Sequence, residues 1–234
     1  LPDLPLSVNS SFDILKIFRF YKKIQWTGPC PTLVHSLVDF PYAVIGRRIA
    51  RDHHIPFFFS ALGTYSVAPF RRFIDTLLFM PVYRDAKRIF AISSFTAGAM
   101  QTAAGYSRKI DVVYLPTSKP LDSAPFNVSR IQLPSDARII LSVGPLKERK
   151  GMDVLISAMP AIIKVTPNAY LVIVVAYGDK SRYLTLAKNN GTDSHIRFVD
   201  DPSHKDLNSL FVRSEIFALT PRKIDGEFEG YGLV

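Results

Sequence analysis

The chain has 234 residues, enough for one large domain or two small ones, and 47% of them are hydrophobic, which is ample for a packed core. Lys and Arg outnumber Asp and Glu by 29 to 20, a formal charge of +9; a solvated basic surface is the plainest reading, no nucleic-acid recognition motif accompanies the charge, and attraction to anionic phosphosugars or an anionic lipid surface explains it equally well. The single cysteine, Cys30, excludes an internal disulfide framework and suits a reducing cytosol, and no apolar run approaches the ~20 residues that a spanning helix needs.

In chain order, residues 10–24 read as a helix. A strand at Pro31–His35 precedes a helix at Tyr42–Arg51, with His53 and His54 at its end, where cationic His is favourable. The run Ile55-Pro-Phe-Phe-Phe-Ser60 reads as a buried strand, Phe70–Tyr83 as a basic, apolar helix and Arg88–Ile92 as a strand. Ser93 or Ser94 caps a helix running to about Ala104, and Ile110–Tyr114 is a further strand. From Leu115 to Pro134 four prolines with several Ser and Asn mark a linker. Alternation resumes with strand 139–143, helix 152–165, strand Tyr170–Val175, helix Tyr183–Asn189, strand His195–Val199, helix Lys205–Val212 and strand Glu215–Leu219. Met152, Leu155, Ile156, Met159 and Ile163 share one face of the helix that opens at 152, and Pro160 is expected to kink or loosen it. Apolar strands alternating with helices predict an α/β protein with parallel, doubly wound sheets: a partial lobe over 1–118, a linker over 119–134 and a second partial lobe over 135–234. Ligands of such sheets bind at the carboxyl ends of the strands.

Two turns at such ends carry chemistry. Ile139-Ile-Leu-Ser-Val-Gly144-Pro-Leu-Lys147-Glu-Arg149-Lys150-Gly151 runs from a buried strand through a basic turn into a helix, which aims cations and a helix N-terminus at one point, as a diphosphate requires. Asp225-Gly-Glu-Phe-Glu229-Gly230-Tyr231-Gly232-Leu233-Val234 is a Gly-rich turn with a carboxylate at its mouth, suited to a sugar's hydroxyls.

Together these segments resemble the nucleotide-sugar half of family 4 glycosyltransferases, whose members carry a Gly-Arg-Leu…Lys-Gly turn followed by Val-Asp-Val-Leu-Ile and, some 80 residues on, Glu-Gly-Phe-Gly-Leu-Val. The resemblance is close over about 139–234 and looser over about 31–117. It implies the GT-B fold of two Rossmann-like lobes, both incomplete here, since the chain lacks an initiator Met and stops inside a motif whose second Glu would fall three residues past Val234. It implies a retaining hexosyl transfer from a UDP- or GDP-sugar to a glycan or lipid-linked acceptor, in the cytoplasm or peripherally on the inner face of the membrane. Carried over by position, Glu229 is the catalytic carboxylate, and Gly144, Arg149, Lys150, Gly230, Tyr231, Gly232 and Leu233 form the donor site. Gly63 and Thr64 belong to a cleft loop of the Leu-His-Gly-Thr type. The chain departs from the family twice: Pro145 replaces the Arg that follows the glycine, so Arg149 or Lys147 must serve, and Leu62 replaces the reaction-centre His.

No Asp-x-Asp triplet occurs, Asp200-Asp201 being adjacent, and His and Cys never cluster at zinc spacing, so neither metal nor cofactor is expected. Esterase elbows and P-loops are likewise missing from the sequence. The segment Phe70–Phe79 mixes Arg with a dense apolar face and is read as a core-facing helix in preference to a membrane-lying one. Two other readings stay open: a non-catalytic two-lobed sugar- or nucleotide-binding protein, and another GT-B activity such as an epimerase or a phosphorylase.

Overall fold

A computed structural model describes residues 19, 31–105, 108, 110–116 and 126–230. The expected helix at 10–24 (apart from Arg19, which is helical), Cys30, the first part of the expected linker, and Tyr231, Gly232 and Leu233 lie outside the described residues. The chain divides into two units, Leu1–Pro116 with Gly230–Leu233, and Thr117–Glu229 with Val234.

In the first unit, β1 (Val34–Ser36), β2 (Phe57–Ala61), β3 (Arg88–Ala91) and β4 (Asp111–Val112) form one sheet in sequence order, every neighbouring pair parallel. Its helices are α1 (Tyr42–Asp52), α2 (Thr64–Val67), α3 (Phe73–Asp85) and α4 (Ser94–Ala104). Along β2 burial alternates, so Phe57, Phe59 and Ala61 face the core while Phe58 and Ser60 are half-buried. Phe79 of α3 is fully enclosed and takes Phe40, Phe59 and Phe70 edge-on at centroid distances of 5.8, 5.9 and 5.4 Å. Ser93 caps α4 by accepting from the Thr96 amide, and Gly105 ends it in the left-handed region. The helix expected at Phe70–Tyr83 is instead two pieces, a 3₁₀ turn at Ala68–Arg71 and α3, because Arg72 between them is extended.

In the second unit the strand order is β7 (Ile196–Asp200), β6 (Ala169–Val175), β5 (Arg138–Gly144), β8 (Ile216–Phe217), again parallel throughout. Its helices are α5 (Met152–Val165), α6 (Ser181–Asn189) and α7 (His204–Arg213). The central strands are apolar almost without interruption because both faces are covered. On one face Leu141, Val172 and Val174 pack with Leu210 of α7; on the other Leu171, Ile173 and Val175 pack with Met152, Ile156 and Met159 of α5 and Tyr183 of α6. This is the doubly wound arrangement that the alternation predicts, and the α5 face is the expected one. α5 continues through Pro160 to Val165.

Residues 126–134 do not behave as a linker. Phe126, Val128 and Leu133 are buried in the second unit's core, and Asn127 caps a 3₁₀ turn at Val128–Ile131. The Phe126 amide donates to the Ser209 carbonyl of α7, which ties this stretch to the second unit.

Candidate functional site

The basic turn is built by the way β5 ends. Gly144 closes the strand with φ at 151°, Glu148–Lys150 make one 3₁₀ turn, and Gly151 takes the left-handed conformation (φ 69°) from which α5 starts. Only glycine fits at 151: a Cβ there would stand 1.9 Å from the carbonyl oxygen of Thr220. The loop after β8 is seated on this turn. Thr220 Oγ1 donates to the Gly151 carbonyl at 2.7 Å, the Arg222 amide donates to the Arg149 carbonyl at 2.9 Å, and the Arg222 guanidinium reaches the Asp153 carboxylate at 2.6 Å.

From Arg222 the chain doubles back. Ile224 and Glu227 pair as an isolated antiparallel bridge, each amide donating to the other's carbonyl. That hairpin returns Glu227 and Glu229 to the cations. Lys150 Nζ lies 2.5 Å from Glu229 Oε2, Arg149 Nη1 3.0 Å from the same oxygen, and Arg149 Nε 3.3 Å from Glu227 Oε2. The Lys150 and Glu229 side chains are only 11% and 20% exposed, whereas Glu227 is 56% exposed. An open cleft lies beside the cluster, lined by Lys147, Glu148, Arg149, Ile224, Asp225 and Glu227. Lys147 itself lies over the Tyr177 ring, 5.8 Å from its centroid.

Three of the sequence-derived site residues, Arg149, Lys150 and Glu229, are thus one ion-pair cluster. Gly144 adjoins it, with the Lys150 stem 3.9 Å from where a Gly144 Cβ would be. Glu227, Arg222 and Asp153 were not legible as site residues. The available signals were a second acid two positions before Glu229 and an Arg in the loop after β8.

Gly63, Thr64 and Gly230 belong to the first unit. Gly63 (φ 126°) precedes α2, and Thr64 is its first residue. A Cβ on Gly230 would lie 3.0 Å from Gly63 Cα and 3.1 Å from the Leu62 carbonyl oxygen, and Ser93 Oγ donates to the Gly230 carbonyl at 2.7 Å. The cleft loop is held from behind by Asp39, three residues past the end of β1. One carboxylate oxygen of Asp39 accepts from the Leu62 amide at 3.2 Å and from the Ser66 hydroxyl. Burial pushes its pKa up to about 6, against the lowering effect of those hydrogen bonds.

Asp200 of the adjacent acid pair is engaged by Lys180. Among the described residues, no three His, Cys, Asp or Glu side chains gather where they could hold a metal ion, and no helix is long and apolar enough to cross a membrane.

Residues 124–234 match the model of the family described as glycosyl transferases group 1. The chain is 33% identical over 93 residues to a GDP-mannose-dependent monoacylated alpha-(1-6)-phosphatidylinositol monomannoside mannosyltransferase of Corynebacterium glutamicum, a match covering 38% of this chain and 23% of the relative. It is 26% identical over 151 residues to a GDP-mannose-dependent alpha-(1-6)-phosphatidylinositol monomannoside mannosyltransferase of Mycobacterium tuberculosis, covering 61% of this chain and 39% of that protein. Among solved structures, Anabaena HepE in complex with UDP and glucose superposes with a TM-score of 0.60 at 15% identity, over 91% of this chain and 58% of HepE. The likeness to HepE establishes the fold, the two-sheet GT-B class that the resemblance implies. The chain thus spans less than half the length of these two curated relatives.

Proposed function

We propose that this chain, whose residues 124–234 match the glycosyl transferases group 1 model, is part of a retaining hexosyltransferase that takes its sugar from a nucleoside-diphosphate donor. The observation that carries this reading is the seating of Lys150 and Arg149 at the mouth of α5, facing Glu229. In the transfer, the bond between the sugar's anomeric carbon and the β-phosphate oxygen breaks. An acceptor hydroxyl oxygen bonds to that carbon from the same face and loses its proton. Negative charge grows on the departing diphosphate, where two preorganised cations beside a helix N-terminus stabilise it. Glu229 addresses the donor sugar, and Gly144 allows backbone and the Lys150 stem to approach the phosphates.

Both curated relatives are named as GDP-mannose-dependent, which favours GDP over UDP and mannose as the sugar to test first. Their acceptors, phosphatidylinositol monomannosides, favour a lipid-linked acceptor and work at a membrane surface. The test is calorimetric titration of the full-length protein with GDP and UDP, followed by transfer from labelled GDP-mannose to lipid extracts. Lys150→Ala is expected to weaken nucleotide binding by roughly 10- to 150-fold, the effect of one charge-assisted hydrogen bond of about 1.5–3 kcal/mol. Unchanged affinity for both nucleotides in that variant would sink the assignment.

A further inference from the structure

Arg149 and Lys150 are engaged by two carboxylates, one of which, Glu229, lies where the donor reading puts a group for the sugar. Two positive charges face two negative ones within 3.3 Å, so the cluster is balanced in the described structure. A diphosphate approaching these cations competes with carboxylates for the same N–H donors, since carboxylate and phosphate oxygens match the guanidinium fork equally well.

We propose that Glu227 is a further residue of the donor site, and that Glu227 and Glu229 together form a built-in counter-anion which the donor's diphosphate displaces. The inference rests on the reading of Arg149 and Lys150 as diphosphate ligands. Three observations support it. The hairpin closed by the Ile224–Glu227 bridge has its amide–carbonyl pairs made within itself, and Arg222 anchors it to Asp153 and to the Arg149 carbonyl, so the loop that presents the carboxylates is fixed to the turn that presents the cations. Both acids converge on Arg149, Glu227 on Nε and Glu229 on Nη1, the two edges of one guanidinium. Glu227 also borders the open cleft, so it has room to swing away from Arg149.

The exchange has a consequence for order. While the carboxylates hold the cations, the long Arg149 and Lys150 side chains are kept in place, so less rotamer entropy is lost when phosphate arrives. Once phosphate takes the cations, Glu229 is released from Lys150 and becomes available to the sugar. An empty site therefore keeps its sugar-directed carboxylate occupied, and only a ligand carrying both phosphates and sugar uses all of the groups.

The signs of the mutant effects follow. Removing a competing charge tightens diphosphate binding, whereas removing a merely structural support loosens it. Titrations of the full-length protein with GDP, UDP and inorganic pyrophosphate separate the two. Glu227→Gln should bind all three ~2- to 5-fold more tightly, the range of an exposed ion pair. Glu229→Gln should tighten pyrophosphate further, because its pair with Lys150 is the more enclosed one, while losing transfer. In an Arg149→Met background Glu227→Gln should change nothing, since the partner it releases is gone; a structural effect of the loop would persist there. Wild-type binding with equal or weaker binding in Glu227→Gln overturns the counter-anion and leaves the donor site standing. Failure of the wild-type protein to bind GDP, UDP or pyrophosphate overturns both.

Discussion

The two loops that follow β2 and β5 start from the same plan and end with opposite electrostatics. Each leaves the carboxyl end of a parallel strand, passes through a glycine with positive φ (Gly63 and Gly144) and enters a helix. After β5 the loop carries Arg149 and Lys150, mostly enclosed, and meets acids from a distant segment. After β2 the loop carries no charge at all, and its shape is fixed from inside by Asp39, 1% exposed, through the Leu62 amide and the Ser66 hydroxyl. A shared topology thus places a loop, and side-chain chemistry decides what the loop can meet. The β5 loop presents two cations, whereas the β2 loop offers backbone, a hydroxyl and the apolar Leu62.

The comparison breaks most readily at Gly151. Alanine there must hold a left-handed backbone, costing about 1–2 kcal/mol, and its Cβ would stand 1.9 Å from the Thr220 carbonyl oxygen, so the loop after β8 must move. We expect Gly151→Ala to lose on the order of 3–5 kcal/mol of stability and to lose diphosphate binding with it. Gly105 supplies the control, since its φ is also positive (59°) but nothing lies within 4 Å of a Cβ there. Gly105→Ala should cost only about 1–2 kcal/mol. Equal losses in urea melts of the two variants would show that the seating of the Thr220 loop contributes nothing.

The same contrast marks what the sequence could reveal. The buried strands Ile139–Val143 and Tyr170–Val175 were legible because central strands covered on both faces are apolar without a break. Two edge strands were over-read: Ile110–Tyr114 and Glu215–Leu219 shrink to Asp111–Val112 and Ile216–Phe217, each with a ladder neighbour on one side only among the described residues. The break at Arg72 was hidden because apolar spacing runs on through Phe70 and Phe73 while the backbone does not. In the site, Arg149, Lys150 and Glu229 were visible as motif positions, but their direct pairing spans 80 residues and no local pattern encodes it. Glu227 and Arg222 escaped because their roles depend on a hairpin that only the fold closes. Asp39 escaped because a lone acid at a strand end looks like any solvated loop residue.

Asp39 gives the intermediate test. Its folded-state pKa of about 6 lies above the ordinary 3.8 because burial disfavours the charged form. The folded protein therefore holds this proton more tightly than the unfolded chain does. The associated stability is complete below about pH 4 and disappears as pH rises through about 6. The ceiling is roughly 3 kcal/mol for a shift of about two units. Asn keeps an acceptor for Leu62 and Ser66 without a charge to bury, although a neutral oxygen accepts less strongly. Asp39→Asn should accordingly gain on the order of 1 kcal/mol over the wild-type protein at pH 7 and lose that advantage by pH 4. Thermal melts at pH 4, 5, 6 and 7 measure the gap. A gap that stays constant with pH would show that Asp39 does not titrate there, and the two loops would then differ less than their geometry indicates.

The smallest expected effect is none at all, and it bears on the cationic loop. If Arg149, Lys150 and the start of α5 carry the charge that grows on the departing diphosphate, a divalent cation has no work left at that point. A metal-assisted transferase instead needs carboxylates spaced to hold the ion against the phosphates. The sequence has no Asp-x-Asp triplet to do so. Transfer by the full-length protein should therefore proceed at the same rate in saturating EDTA, with Mg or Mn adding nothing. Loss of turnover in EDTA, restored by either ion, would mean that the carboxylates freed by the diphosphate bind metal. The β5 loop would then be a metal-dependent phosphate site instead of a self-sufficient cationic one, and the contrast with the uncharged β2 loop would have to be redrawn around the ion.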